Sequence, residues 1–165
     1  MLKKTIIDLL NQQVNKEQFA STLYLQMAAW CDHKGYVGCA KFLKGHAKEE
    51  LMHMNKLFEY LTETGNLPIL AAVPAPANEW SDLKNVFVKI LENEREISDS
   101  INKILAKTLA EQDFSTFNFL QWFLTEQHEE EHLFQSILDK MDVIGIDGKG
   151  IYFFDKEIGK IAPSV

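Results

Sequence analysis

The chain has 165 residues, 46% of them hydrophobic, with a formal net charge of −7 and a sequence pI near 5.2. That length and apolar content suit a single domain, residues 1–165, with a sizeable core. The acidic balance excludes nucleic acid as a partner, and no apolar run approaches the ~18 residues of a membrane span.

The elements read in chain order are long amphipathic helices. The first is predicted from about Thr5 to His33, with Ile7, Leu10, Val14, Glu17, Ser21, Tyr24 and Ala28 on one stripe. Met1-Leu2-Lys3-Lys4 reads as its start and not as a signal peptide, because Asp8 and Asn11 interrupt the apolar residues beyond it. A short turn comes next, near Gly35 and Gly38. Cys31 and Cys39 flank it without C-x-x-C spacing, so the default is reduced thiols in a cytoplasmic protein. The second helix is predicted from about Cys39 to Thr64, with Leu43, His46, Glu50, His53, Leu57 and Tyr60 on its stripe. Gly65 and Pro68 stop it.

The connection from Gly65 to Asn78 holds Pro68, Pro74 and Pro76 and no helical period. About fourteen residues span roughly 45 Å when extended, the length of a ~30-residue helix. This loop can therefore cross a bundle from end to end. The third helix is predicted from about Glu79 to Ala110, with Leu83, Phe87, Ile90, Glu94, Ile97, Ile101 and Ile104 in line. The fourth runs from about Ser115 to Ile144, with Leu120, Phe123, Gln127, Glu130, Phe134, Ile137 and Met141. A short fifth helix, Tyr152 to Ala162, has Phe153, Ile158 and Ile161 as its apolar members and needs something to pack on. The fold class is an all-α four-helix bundle with one long crossover and a short C-terminal helix.

Steps of three and four keep residues on one helical face. Glu17, Glu50, Glu94 and Glu130 therefore point into the core, each near the midpoint of its helix. Midpoints of antiparallel helices of equal length meet at one level, so these groups converge with His53 and Gln127. An uncompensated buried carboxylate costs several kcal/mol, on the order of 20 in the idealised limit. No Lys or Arg lies on the stripes to pair with them. A multivalent metal cluster is the economical compensation. Carboxylate oxygens with one imidazole suit iron or manganese better than zinc or copper(I). Four carboxylates neutralise two divalent ions, with Glu50 placed to bridge them. His46 is read as a hydrogen-bonded core residue, and Tyr24, two turns from Glu17, as near enough to touch the metal shell.

A second acidic group adjoins the first. Glu126, Glu129 and Glu130 are helical neighbours, and Glu49 borders the second stripe. This group is a further cation site, a path to the acidic surface, or a solvated helix face. His128-Glu129-Glu130-Glu131-His132 also matches H-E-x-x-H, the zinc-protease pattern. Here it is out of phase: with Gln127 and Glu130 inward, His128 and His132 fall on the flank and back of the helix.

Several segments resemble the bacterial non-haem ferritins across essentially the whole chain. They are Asn15-Lys16-Glu17, His46-Ala47-Lys48-Glu49-Glu50-Leu51-Met52-His53, the stretch around Glu94, Thr116-Phe117-Asn118-Phe119-Leu120-Gln121-Trp122, Glu126-Gln127-His128-Glu129-Glu130-Glu131 and Gly150-Ile151-Tyr152-Phe153. The resemblance implies a 24-subunit homo-oligomeric shell that oxidises Fe(II), with O₂ or H₂O₂ as acceptor, and stores ferric mineral. It implies Glu17, Glu50 and His53 at a first iron, and Glu50, Glu94 and Glu130 at a second with Gln127 beside it. It implies a third iron site of Glu49, Glu126, Glu129 and Glu130, a redox-active Tyr24, and a fifth helix at the four-fold axes. Haem-binding relatives place methionine directly after the bridging Glu. Leu51 stands there in this chain, so no haem is expected. A four-cysteine iron domain of the rubrerythrin type is beyond two cysteines. An oxygenase with a resident di-iron centre and a helical protein without chemistry are the remaining rivals.

Overall fold

The computed structural model describes residues 2–145 and 147–163, and these form five helices with no strand among them. They are α1 (Lys4–His33), α2 (Val37–Glu63), α3 (Leu83–Ala110), α4 (Phe114–Ile144) and α5 (Gly148–Lys160). The predicted stripes are the core. All seven stripe residues of α3 and all seven of α4 are buried, while Ile7 on α1 and Tyr60 on α2 lie half-buried at the ends.

The helices run up, down, down, up. Ser21 on α1 bonds the Ala47 carbonyl on α2, and Gln127 on α4 bonds Glu94 on α3, so each short turn joins an antiparallel pair. Tyr24 reaches Asn93, and Tyr60 stacks on Phe119 with ring centres 3.9 Å apart. The two pairs thus face each other, α1 against α3 and α2 against α4.

The crossover runs alongside α1. Asn11 Oδ1 accepts from the Ile69 amide at 2.7 Å. Asn15 Nδ2 donates to the Ile69 carbonyl at 2.9 Å and its Oδ1 accepts from Ala71 at 2.6 Å. Further on, buried Trp80 packs edge-on against Trp30, centroids 5.8 Å apart, near the far end of α1. Two asparagines one turn apart thus satisfy backbone groups of a segment that has no ladder of its own.

Some boundaries differ from the sequence expectation. α3 begins at Leu83, four residues later than predicted, because Asp82 caps it by accepting from Asn85 N at 2.7 Å. Trp80 belongs to the crossover. α2 begins earlier, at Val37, so Gly38 is no turn residue. It lies where α5 crosses: a Cβ there would sit 1.9 Å from the Asp155 carbonyl oxygen, and one on Gly159 would sit 2.9 Å from Gly38 Cα. The Asp155 carboxylate caps α2 across this crossing, accepting from Gly38 N at 3.0 Å and Cys39 N at 2.8 Å.

That contact also corrects the face of α5. Phe154 and Ile158 are buried, and Phe154 meets Phe87 edge-on at 5.7 Å. Phe153 and Ile161, expected inside, are largely exposed, together with Tyr152. The helix phase is dictated by the Asp155 cap and the glycine crossing, which α5's own periodicity does not report.

Candidate metal centre

The four midpoint carboxylates do converge. Glu17, Glu50 and Glu94 are at most 1% exposed and Glu130 is 5% exposed. Glu17, Glu50 and His53 each present a ligand atom within 4.8 Å of the others. Glu50 bears no hydrogen bond on either oxygen, and Glu17 Oε2 and Glu130 Oε2 are likewise unpartnered. Gln13, one turn before Glu17, donates to Glu17 Oε1 at 2.7 Å and fixes that carboxylate. The Nδ1 atom of His53 lies 3.5 Å from Glu50 Oε2.

Glu94 is held differently. Its Oε1 accepts from the Tyr24 hydroxyl, and its Oε2 accepts from Gln127 Nε2 at 2.9 Å. Asn93 Nδ2 in turn donates to the Tyr24 oxygen at 3.0 Å. Tyr24 is thus fully buried and in contact with the site, as its stripe position suggests. Gln127 acts on Glu94.

Crowded buried carboxylates hold protons. Burial, and then Glu130, push the Glu94 carboxyl up to about 8. Burial also raises Glu17, and raises Glu50 further because the charges of Glu94, Glu17 and Glu130 add to it. Tyr24 is driven well above its usual range by burial and then by Glu94 and Glu50. Carboxyl groups that hold protons in this way release them when they ligate a divalent ion.

A second group lies beside the first. His46, Glu49 and Glu130 present ligand atoms within 4.8 Å of one another. His46 Nδ1 is 3.0 Å from Glu49 Oε2 and 3.6 Å from Glu130 Oε2. Burial acts to lower the His46 pKa, but Glu130 and Glu49 outweigh it and lift the value to about 9. Glu126 and Glu129 line the same cleft, with Leu133, Ile161 and Pro163 at its margin. Glu129 is exposed and Glu126 half-buried, its carboxyl raised by burial and by Glu130, Glu129 and Glu49. The out-of-phase histidines, His128 and His132, are not buried, and Leu51 and Met52 also face outward.

A family model described as a ferritin-like domain matches residues 7–144. A probable bacterial non-heme ferritin-like protein of Haemophilus influenzae is 52% identical over 162 residues, covering 98% of each chain. A bacterial non-heme ferritin of Escherichia coli is 47% identical over 161 residues, again 98% of each. The chain belongs to the ferritin family. Iron storage follows from that membership and from a buried carboxylate and histidine group able to hold metal. Solved ferritins share the backbone closely. A humanized archaeal ferritin superposes with a TM-score of 0.96 at 32% identity over the full length of both chains. An open-pore ferritin from Archaeoglobus fulgidus gives 0.94 at 34%, covering 96% of this chain and 98% of that one.

Three contributors to this ferritin's site escape a reading by stripes. Gln13 and Asn93 lie off the stripes, although Gln13 stands four residues before Glu17, the spacing that places an amide over a carboxylate. His46 is on the stripe but reads there as a structural core residue. Its distance of three residues from Glu49 is the signal that ties it to the acidic group.

Proposed function

We propose that each bundle is a ferroxidase. Glu17, Glu50 and His53 hold one Fe(II), and Glu50, Glu94 and Glu130 hold a second, with Gln127 orienting Glu94. The observation that carries this is Glu50, buried at the meeting point of all four helices with both oxygens free of hydrogen bonds. Two Fe(II) supply two electrons. O₂ accepts them with two protons to give H₂O₂, or H₂O₂ accepts them with two protons to give two water molecules. The protein supplies position and charge, and the substrate ions supply the redox chemistry. Protons held on Glu17, Glu50 and Glu94 leave as the ions enter. Tyr24, hydrogen-bonded to Glu94, is placed to give a further electron and its proton.

In this reading Glu49, Glu126, Glu129 and Glu130 form a third iron position at the opening of the site. The exposed Tyr152 and Phe153 give α5 an apolar outer face suited to contacts between copies in a 24-subunit shell. The ferric product collects in the shell's cavity, in the cytoplasm. No helix among the described residues is long and apolar enough to cross a membrane. Iron loading followed by size exclusion tests the storage function. A very large particle that co-elutes with its iron is expected. A small species holding two irons per chain would instead mark a resident di-iron cofactor.

A further inference from the structure

We propose that the groove between α1, α3 and the crossover binds a small neutral hydroxyaromatic molecule of the hydroquinone class, which returns an electron to Tyr24 by way of Asn93. The inference rests on the reading of Tyr24 as a further electron source and adds the partner that restores it. Asn93 joins the two places. Its Nδ2 donates to the Tyr24 oxygen at 3.0 Å, while Tyr24 gives its own proton to Glu94 Oε1. Tyr24 and Glu94 are fully buried, whereas Asn93 is half-buried and lines the groove. Asn93 is therefore the link between the buried phenol and the surface.

The groove has the size and lining of a one-ring site. Its volume is about 270 Å³, just below the roughly 300–1,000 Å³ of sites for drug-sized ligands. Phe19, Pro74 and Ile97 give it apolar walls on which a ring can lie. Among the described residues that line it, Glu96 is the one carboxylate and Lys16 the one cation. A single carboxylate beside a lysine is a poor cation site, and the balanced charge favours a neutral ligand. An amide has two N–H donors. The one that Asn93 spends on Tyr24 leaves the other, with Oδ1, for a ring hydroxyl. The crossover wall is held in advance, since Asn15 Oδ1 accepts from the Ala71 amide at 2.6 Å just ahead of Pro74.

The exchange balances as follows. Oxidation of Tyr24 sends its electron to the oxidant at the metal site and its proton to Glu94, and the neutral oxyl radical keeps the hydrogen bond from Asn93. A hydroquinone resting on Asn93 gives one electron to that radical and one proton to solvent, and becomes a semiquinone. The Tyr24 oxygen recovers its proton from Glu94. Two semiquinones then disproportionate to one quinone and one hydroquinone.

Hydroquinone itself is the probe. Calorimetry on the metal-free, full-length protein is expected to show binding that Ala72→Trp and Gln12→Trp both abolish, because each fills the groove from an exposed position on a different wall. Freeze-quenched electron paramagnetic resonance after Fe(II) oxidation follows the electron. The tyrosyl signal, identified by its absence in Tyr24→Phe, should decay faster with hydroquinone and saturate where binding saturates. Both Trp variants should lose that acceleration and keep the wild-type rate of Fe(II) oxidation. No binding to the wild type, or binding that survives both fillings, overturns the site. Equal acceleration in the wild type and the Trp variants means donation from bulk solvent and overturns the route through Asn93. Absence of any tyrosyl signal removes Tyr24 as an electron source and the donor's role with it, while calorimetry judges the groove by itself.

Discussion

Tyr24 donates its phenolic proton to Glu94 Oε1, while Gln127 holds the other oxygen of the same carboxylate. Glu94 therefore enters the metal-free site saturated, whereas Glu50, facing it, has both oxygens unused. The two carboxylates should respond differently to substitution of their surroundings. Tyr24→Phe should leave binding of two Fe(II) intact and destabilise the metal-free protein by about 0.5–1.5 kcal/mol, as for one buried hydrogen bond. Anaerobic Fe(II) titration and denaturant melts measure the two effects. Loss of one iron equivalent would show that Tyr24 does more than hold Glu94.

Glu50→Ala should abolish rapid Fe(II) oxidation, because both ions lose a shared ligand. The metal-free chain should still fold and assemble, since a desolvated carboxyl among three others is removed. Stopped-flow absorbance after iron addition reads the rate. Fast oxidation at the wild-type level would remove Glu50 from the site.

The two phases of α4 can be set against each other. Glu130→Ala should cripple the second iron, and His132→Ala should not. His132 lies off the core face, so its replacement should shift stability by no more than about 0.5 kcal/mol. Turning His132 inward would take Phe123, Phe134 and Ile137 off that face, and each is worth roughly 1.5–3 kcal/mol of burial. Calorimetric iron titration of both variants decides between the phases. An iron equivalent lost only in His132→Ala would reverse the assignment.

Stability of the metal-free protein should fall as pH rises. Glu94 keeps its proton in the fold up to about 8, against 4.5 for the free side chain, and Glu17 and Glu50 are raised in the same direction. Between those values the folded chain binds more protons than the unfolded one. The contribution is complete below about 4.5 and is lost as pH climbs through about 8. His46, raised from 6.5 to about 9, adds a loss over its own, higher interval. Saturating Zn²⁺ should invert the slope, because metal binding releases protons. Thermal melts across this range, with and without Zn²⁺, give both slopes. A metal-free melting temperature that rises across the range would contradict the protonated carboxylates.

Gly38→Ala should undock α5. The added Cβ meets backbone at the Asp155 carbonyl, where no side chain can swing aside. Overpacking of this kind costs about 1–3 kcal/mol or more. Gly148→Ala, whose Cβ would meet nothing within 4 Å, is the control. Limited proteolysis near residue 145 should cut the first variant faster than the second. Equal cutting would mean that the crossing is not tight.

The four long helices and the inward Glu17, Glu50, His53, Glu94 and Glu130 are legible in the sequence because each stripe repeats over roughly five or six turns and tolerates few alternatives. The face of α5 is not, because thirteen residues offer too few turns to choose between Phe153 and Phe154, and the choice is made by Gly38 and Asp155 across the chain. Asn11 and Asn15 give no sign of clamping the crossover, since their partners are backbone groups of Ile69 and Ala71, which any residue type would supply. Trp80 falls within the predicted third helix, but Asp82 takes the cap and leaves it outside. His46 is visible, but its nearness to Glu130 depends on how closely α2 and α4 approach, which no single helix encodes.

The crossover divides the molecule into two hairpins, and the divide runs through the cluster of buried carboxylates proposed to hold metal. Glu17, Glu50 and His53 all come from the first hairpin, so their position exists within α1 and α2 alone. Glu94 and Glu130 come from the second, and any ion they share with Glu50 must straddle the seam. If these groups hold two ions as proposed, loading should be ordered by topology: the first ion would need one hairpin, the second both in register. An ion that crosses the seam also rivets it, so amide exchange along α3 and α4 should slow when the second position fills, and not before.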